Sequence, residues 1–400
     1  MLTESEKIYK NVLNTGIILL GIGIPFSVFL MGLSLGFLII SVILGIIIKK
    51  IKIHSTGLEI PLVIFLVLYL FTAVIAPTDN LKNIKNITDN YWSILFMYMV
   101  VFLFKEKQIK KFTKILGWSI IAASGYTILQ SFAGLTLAVK FHMPDMTNAL
   151  SYEIEKVTEI FGYPIFMGTG TLGHHLTFGG QMLMMLFFSM AVFKNKKYLV
   201  LPFTAFVLSF AYSAWFGFFA GVFLWLLIKE NRKKYAFLFA GMFVLILFAV
   251  PGNFSKIKEK FKDRIKIWNT SFSMYQESPV VGIGAGNYRY KLKEDNGKKY
   301  DISGGATTHP HSVYLTILTD GGIVTFTAFI LFWIIFFTRY SRSPPAEKYT
   351  RLHKFSVIAV VSVLFAGIFQ NYVTDAENSV LLWTLMGIIV KTHKIKNETL

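Results

Sequence analysis

Long apolar runs with few charged residues recur along most of this chain, and they limit what it can fold into. The first run extends from about residue 15 to residue 48, and similar runs follow up to residue 390. About 20 apolar residues suffice for a helix to cross the hydrocarbon core of a bilayer. Hydrophobic residues make up 54% of the sequence and charged residues 16%, so the runs predict a polytopic membrane protein. The first run is too long for the apolar part of a signal peptide, and we interpret it as two spans.

The runs divide into about twelve predicted transmembrane helices of an all-α fold. They cover residues 15–30, 32–48, 58–76, 91–104, 115–138, 174–193, 198–212, 214–228, 235–250, 322–338, 355–372 and 379–390. The predicted plan has three parts: spans 1–9 in residues 1–250, with an external segment at 139–173; a long external loop at 251–321; and spans 10–12 with a cytoplasmic C-terminus in 322–400.

The basic residues predict the orientation of these spans. If the N-terminus is cytoplasmic, 25 of the 40 Lys and Arg lie in short cytoplasmic segments, and only 4 lie in the external segments outside the long loop. Long loops are largely exempt from the positive-inside rule, so this comparison places both termini inside. The formal charge of +18 is therefore attributed to membrane anchoring and not to binding of nucleic acid. Without cysteine, thiolate nucleophiles and cysteine metal sites are excluded.

Two external segments are long enough to carry function. Segment 139–173 contains a Pro turn, then an acidic stretch with Glu153, Glu155 and Glu159 that we predict to be helical, and then Gly-rich backbone. The loop 251–321 opens with apolar residues at three- and four-residue spacing and lysines between them, which predicts an amphipathic helix on the outer membrane surface. The apolar positions are Phe254, Ile257, Phe261, Ile265, Trp268 and Phe272.

Arg264 lies at the edge of that apolar stripe, where a guanidinium can bind a phosphate at headgroup level or simply extend towards water. The following sequence alternates Gly282, Gly284 and Gly286. It lacks the Lys-Ser/Thr of a phosphate-binding P-loop, so it predicts a tight turn packed on the membrane domain, with a backbone nest for an anion as the alternative.

Histidines mark two further external positions. His311 precedes a short predicted helix that Asp320-Gly321-Gly322 interrupt before the span proper, so it stands at the membrane boundary as either a base or a structural residue. Asp320 is expected to cap or orient. His174 and His175 begin the sixth span, and neighbouring helical residues point about 100° apart, which does not suit a shared metal ion.

The last external turn contains Gln370, Asn371, Asp375 and Glu377. Asp375 and Glu377 resemble the acidic pair of metal-dependent sugar transferases, but a turn cap with solvated charges is the simpler interpretation. The spans hold few ionisable groups, whereas transport pathways use such groups within the membrane. The polar residues concentrate at the outer face instead, which favours chemistry there.

Three motifs occur in a recognisable order in the long loop: Asp263-Arg264-Ile265-Lys266-Ile267-Trp268; Ser278-Pro279-Val280-Val281-Gly282-Ile283-Gly284-Ala285-Gly286-Asn287-Tyr288; and His311-Ser312 with Gly322 and Thr325. Together they resemble the bacterial O-antigen ligase and polymerase superfamily. The resemblance covers about residues 160–390, and its last motif matches the family's pattern of His, a polar residue, nine residues and Gly.

The resemblance implies a glycosyltransferase of the bacterial inner membrane with a periplasmic active site. Its ligases transfer a glycan from undecaprenyl diphosphate to a sugar of lipid A core without a metal or another cofactor. His311 corresponds to the family's proposed general base, and Arg264 to an arginine that binds the donor diphosphate. Supporting roles fall to Gly282, Gly284, Gly286, Asp320 and Gly322.

The chain departs from the family in one respect. A second family arginine precedes the Gly-rich turn at the sixth span, but here that neighbourhood holds Met167. The candidates for the missing positive charge are His174, His175 and Lys156. The leading hypothesis is an O-antigen ligase; an O-antigen polymerase, with a carrier-linked acceptor, and a lipid-linked glycan flippase are the alternatives.

Overall fold

The computed structural model describes residues 3–76, 80–136, 152–153, 156–160, 162–228, 235, 253–294, 309–341 and 345–398. Helices dominate this part of the chain, and two short two-stranded sheets accompany them. The helices are α1 (Glu4–Phe26), α2 (Val28–Ile47), α3 (Glu59–Ile75), α4 (Asn80–Tyr91), α5 (Leu95–Leu103), α6 (Glu106–Ala133), α7 (His175–Val192), α8 (Val200–Leu208), α9 (Tyr212–Ile228), α10 (Asn253–Glu277), α11 (Tyr288–Glu294), α12 (Val313–Tyr340), α13 (Thr350–Ala366) and α14 (Ala376–Glu398). The strands are β1 (Leu135–Thr136), β2 (Tyr152–Glu153), β3 (Lys156–Ile160) and β4 (Tyr163–Phe166).

Within the described residues, six helices are long and apolar enough to cross a membrane, and two shorter apolar helices, Glu59–Ile75 and Tyr212–Leu227, accompany them. The chain is therefore a mainly helical membrane protein with several spans. Each predicted span contains a helix except 235–250, which lies outside the described residues apart from Tyr235. The count of twelve stays a prediction.

Several predicted boundaries need correction. The break in the first apolar run falls at Ser27, not near residue 31, because Ser27 caps α2 through its hydroxyl after Pro25 has removed a helical donor. Helices α5 and α8 have 9 residues each. At 1.5 Å per residue they reach about 14 Å, roughly half the hydrocarbon thickness. The predicted span 355–372 ends earlier, at Ala366, and the residues that follow form a turn.

The described parts of the acidic stretch before the sixth span form strands and not the predicted helix, and Glu155 lies outside the described residues. Glu153 lies in β2 and Glu159 in β3, and β3 pairs with β4 as an antiparallel hairpin. The β-branched residues Val157 and Thr158 favour an extended chain, and Gly162 turns it with a φ of 80°. This hairpin and the β1–β2 pair are small additions to a mainly helical fold.

Two helices form the centre of the molecule. Residues 378–390 of α14 are buried on every face, as are residues 178–189 of α7. A helix that is apolar all round belongs in a core. Helix α14 packs closely on α5, because a Cβ on Gly387 would lie 2.8 Å from the carbonyl oxygen of Met97. The start of α7 is consequently held in a fixed position, and its residues His175 and Leu176 border the site.

Helix α12 is interrupted near its start, as the sequence predicts. Gly322 has a φ of 65° and a ψ of −175°, which separates a short first piece from the long apolar piece that ends at Tyr340. The Gly-rich turn replaces the missing helical hydrogen bonds. Ile283 N–H donates to Thr319 O and Gly284 N–H donates to Asp320 O, each at 2.9 Å. In return, Ile323 N–H donates to Pro279 O, also at 2.9 Å.

Candidate active site

A cavity of about 560 Å³ lies where the predicted external ends of several elements meet. The N-terminus of α7, the link between α8 and α9, helix α10, the residues before α12 and the turn after α13 all contribute to its wall. Most of the wall is aromatic or aliphatic. Its described lining residues are His175, Leu176, Phe210, Tyr212, Ser213, Trp215, Phe216, Phe261, Asp263, Arg264, Ile267, His311 and Phe369.

Helix α10 carries the arginine into this cavity. The helix forms over Asn253–Glu277 as its spacing predicts, and its Trp268 ring lies against Phe369 with centroids 5.7 Å apart. Arg264 of this helix is half-buried. Its Nη1 donates to His311 O at 3.1 Å and to Phe369 O. Because Nη1 uses both hydrogens on carbonyl groups of the protein, Nε and Nη2 are the atoms that can face a ligand.

His311 stands directly before α12, as the sequence predicts. Ser312 caps the helix, and its Oγ accepts a hydrogen bond from Leu315 N–H at 3.4 Å. His311 itself has a φ of 52°, an uncommon backbone conformation for a residue other than glycine. Its N–H donates to His309 Nδ1 at 3.1 Å, and its carbonyl accepts from Arg264. The backbone on both sides of the imidazole is therefore fixed by side chains of the site.

The imidazole of His311 makes one side-chain hydrogen bond. Its Nδ1 lies 2.8 Å from Oε1 of Gln370, in the turn that follows α13. Burial lowers the pKa of His311, the Gln370 contact opposes that effect, and the positive charge of Arg264 adds to it. Burial also lowers the pKa of His309 to about 4, and His311 and Arg264 contribute to that shift. Both histidines are thus neutral at pH 7, which a general base requires.

The Gly-rich turn serves α12 and not an anion. Besides its three backbone hydrogen bonds with α12, the turn donates from Gly286 N–H to Asp320 Oδ2 at 3.2 Å. The hydroxyl of Tyr69 donates to the same oxygen at 3.1 Å. A Cβ on Gly282 would lie 2.4 Å from Asp320 O, so this close contact requires glycine. The tight-turn interpretation therefore fits, because the N–H groups of Ile283, Gly284 and Gly286 already donate within the protein.

Three residues, His174, His175 and Lys156, are candidates to replace the family's second arginine. In the structure only His175 lies in the cavity wall. His175 lines the cavity at the start of α7. His174 is the exposed N-cap residue of that helix, yet its charge contributes to lowering the pKa of His309 and His311. Lys156 lies in the β3–β4 hairpin, where it pairs with Glu159, and it is not among the lining residues.

Several site residues were not identified from the sequence. Phe369 and Gln370 come from the turn after α13, and Phe210, with a φ of 48°, comes from the α8–α9 link. Gln370 is 59 residues away from His311 along the chain, so no local pattern connects them. The available signal is its place in the polar cluster of the last external turn, which does not connect it to His311.

The acidic residues after Gln370 are partly buried and not solvated as the simple interpretation expects. Asp375 Oδ2 accepts hydrogen bonds from Thr177 Oγ1 at 2.8 Å and from Asn378 Nδ2 at 2.9 Å. Its backbone carbonyl accepts from Ser379 N–H at 2.8 Å. Asp375 therefore ties the start of α14 to the start of α7. Among the described residues, no group of three or more His, Asp or Glu is arranged to hold a metal ion.

Comparison with known proteins connects this geometry to one family. No curated protein matches the chain. The family described as O-antigen ligase matches residues 197–330, a segment that includes Arg264, the Gly-rich turn, His311 and the interruption of α12. Members of that family are ligase- or polymerase-type glycosyltransferases. The match supports the resemblance that the ordered motifs predict, and this segment is similar to the O-antigen ligase family.

Proposed function

We propose that this protein is an O-antigen ligase that transfers a glycan from undecaprenyl diphosphate to a sugar hydroxyl of lipid A core. The observation that carries this proposal is that Arg264 and His311 meet at one cavity with a largely apolar wall. The family match implies lipid-linked glycan and lipid A core substrates in general. The reaction takes place at the periplasmic face of the inner membrane, where the charge distribution puts these segments.

The cationic side of the cavity suits the donor diphosphate. Arg264 can present Nε and Nη2 to phosphate oxygens, because Nη1 is engaged by the protein. The first turns of α7 and α9 also border the cavity, through His175 and Leu176 and through Tyr212 and Ser213. Helix N-termini carry partial positive charge and stabilise anions. They take the place of the second arginine that the family has and this chain lacks.

The apolar wall suits the lipid part of the donor. Phe261 lines the cavity and is 46% exposed, and Ile265 and Phe272 on the same helix are 41% and 48% exposed. An amphipathic helix with such residues binds at a membrane interface. A carrier lipid can therefore remain in the membrane beside α10 while its diphosphate reaches Arg264.

The chemical step needs a base and a stabilised leaving group. Neutral His311 takes the proton of the acceptor hydroxyl as the hydroxyl oxygen attacks the anomeric carbon of the donor sugar. The bond from that carbon to the diphosphate oxygen breaks, and the diphosphate leaves with the bonding electron pair. Arg264 and the helix N-termini stabilise the negative charge that develops on it. Attack opposite the leaving group inverts the anomeric centre.

The lipopolysaccharide of a strain that lacks the protein tests the proposal and separates it from the polymerase. Loss of a ligase leaves free lipid A core together with carrier-linked polymer. Loss of a polymerase leaves core with one repeat unit, and that pattern would replace the ligase proposal. A strain that carries His311→Ala is expected to reproduce the deletion pattern, whereas His54→Ala, a histidine outside the cavity, retains the normal one.

Transfer in a purified system distinguishes the enzyme from a flippase. The protein is incubated in detergent with carrier-linked glycan and lipid A core, so that no membrane separates the two substrates. A ligase forms the glycosidic bond under these conditions. A flippase forms none, and failure of the wild-type protein to join the substrates would contradict the proposal.

A further inference from the structure

Gln370 is the described side chain that hydrogen-bonds the imidazole of His311. It is 8% exposed, and its Oε1 lies 2.8 Å from His311 Nδ1. The turn that carries Gln370 is itself fixed. The carbonyl of Gly367 accepts from Val313 N–H at 2.9 Å, and the carbonyl of Phe369 accepts from Arg264. The amide therefore approaches His311 from a rigid support.

The chemistry of this contact determines which imidazole nitrogen carries the proton. A carbonyl oxygen only accepts hydrogen bonds, so Nδ1 must be the donor. A neutral imidazole has one N–H, and a proton at Nδ1 leaves the lone pair on Nε2. No hydrogen bond from the described residues engages Nε2. If the amide were reversed, Nδ1 would accept and Nε2 would carry the proton, and Nε2 could not act as a base.

The backbone hydrogen bonds of His311 cannot make this selection. They fix its N–H through His309 and its carbonyl through Arg264, but neither reaches the ring nitrogens. The hydrogen bond from His311 to Gln370 is therefore the contact that can select the rotation of the ring and its tautomer. At metal sites of other proteins, loss of the partner that orients a ligating histidine typically lowers metal affinity or activity by about 10- to 100-fold, and we expect an effect of similar size here.

We propose that Gln370 is a positioning residue that holds His311 in the Nδ1–H tautomer, so that Nε2 is the atom that accepts the proton of the acceptor hydroxyl. This inference rests on the proposed function, because it assigns the basic atom of the proposed base. Gln370 does not touch the reacting groups; it acts through His311.

Other charged groups near His311 bear on any pH measurement. His309 lies in the same loop, with ring centroids 4.5 Å apart, Arg264 comes from α10, and His174 comes from the start of α7. Asp375 from the turn before α14 influences His309. None of these groups is altered by a change at Gln370, so variants at this position report on its own hydrogen bond.

The first experiment compares Gln370→Leu, Gln370→Glu and a matched control, Gln276→Leu, an exposed residue of α10. Gln370→Leu is expected to lower kcat by about 10- to 100-fold with little change in the KM for the carrier-linked donor. Gln370→Glu keeps an acceptor at Nδ1 and is expected to retain most of kcat. The carboxylate of this variant stabilises the imidazolium and raises the pKa of His311. As the pH is lowered, its activity is therefore expected to fall at a higher pH than that of the wild type. Gln276→Leu behaves as wild type.

The second experiment reads the tautomer without activity. The full-length protein is labelled with ¹⁵N-histidine, and the His311 signals are assigned by their loss in His311→Ala. The wild type is expected to show a protonated Nδ1 and an unprotonated Nε2, and Gln370→Leu a mixture. A proton on Nε2 in the wild type would overturn the inference.

The two proposals fail in different ways. Full activity of Gln370→Leu beside an inactive His311→Ala overturns the positioning role and leaves the transferase assignment intact. Full activity of His311→Ala contradicts the transferase mechanism itself.

Discussion

The two ends of the short first piece of α12 bind different kinds of partner. At its start, His311 and Arg264 contact each other at a cavity and keep Nε2, Nε and Nη2 for a ligand. At its end, Asp320 is 4% exposed and accepts from Tyr69 and Gly286, while the backbone there pairs with the Gly-rich turn. The first end has side-chain nitrogens at a cavity, whereas the second is buried, and there Asp320 Oδ2 and the backbone stabilise a break in a helix.

This difference explains why both ends are needed. A helix interrupted near a membrane leaves N–H and C=O groups that water cannot satisfy there. The Gly-rich turn satisfies them, so the first piece of α12 can point away from the span. His311 can then reach Gln370 and Arg264. The comparison predicts that changes at the start of the piece remove activity from a folded protein, whereas changes at its end reduce stability.

The largest effect at the cavity end besides that of His311 is expected for Arg264→Ala. It removes the guanidinium that faces the diphosphate and leaves the carbonyls of His311 and Phe369 without their donor. Loss of one group that stabilises developing charge lowers kcat by about 10²- to 10³-fold. Transfer rates of the purified variant provide the measurement. Lys262→Ala, on an exposed face of the same helix, is the matched control. Equal and mild effects of the two changes would contradict the role of Arg264.

The next prediction concerns the buried end. Gly322→Val introduces a side chain at a φ of 65°, where its Cβ would lie 2.3 Å from Val280 O. A valine in left-handed backbone is strained, and its side chain would collide with another backbone segment. Both effects destabilise the folded protein, so the variant is expected to accumulate poorly in membranes. Gly32→Val is the control, because no atom lies within 4 Å of a Cβ there. Normal abundance of Gly322→Val would disprove the packing described here.

A smaller stability change is expected for Asp320→Ala. The change leaves the hydroxyl of Tyr69 and the amide of Gly286 buried without their acceptor, which costs about 1–3 kcal/mol. Thermal unfolding of the purified protein measures it, and Asp89→Ala, an exposed aspartate of α4, is the control. The folded fraction of Asp320→Ala is expected to retain kcat. Loss of kcat without loss of thermal stability would show that Asp320 takes part in the reaction and does not only stabilise the fold.

The smallest effect is a displacement of the pH profile. Burial and the charge of Arg264 lower the pKa of His311 below its ordinary value of 6.5. An imidazole with a lowered pKa stays neutral down to a lower pH. The pH at which transfer falls to half its maximum on the acidic side is therefore expected to lie below 6.5. The pH dependence of kcat for the wild-type protein measures this, compared with Gln370→Glu. If kcat of the wild type fell to half its maximum at a pH above 6.5, the buried environment of His311 would be contradicted.

The elements that the sequence predicts correctly are those whose pattern lies in neighbouring residues of the chain. Helix α10 follows from its apolar spacing, and the break of α12 follows from Asp320-Gly321-Gly322. His311 was placed before a helix because apolar residues follow it at helical spacing. Each of these features depends on residues within about two helical turns of one another.

The elements that were missed depend on contacts between distant segments. Gln370 reaches His311 from a part of the chain that the apolar pattern assigned to a span, and Gly367 ends that helix earlier. The acidic stretch before α7 is an exception, because its β-branched residues and Gly162 are local signals that favour the hairpin over the predicted helix. The pairing of the Gly-rich turn with α12 could not be predicted either, since its partners lie about 40 residues apart.

The central claim is that His311 is the base of a glycosyl transfer at this cavity. Its most direct test is the single-turnover rate at which the purified protein joins saturating carrier-linked glycan to lipid A core, for wild type, His311→Ala and the matched His54→Ala. The account predicts a fall of about 10²- to 10⁴-fold for His311→Ala, with thermal stability near that of wild type, and no change for His54→Ala. A His311→Ala protein that transfers glycan at the wild-type rate would contradict it.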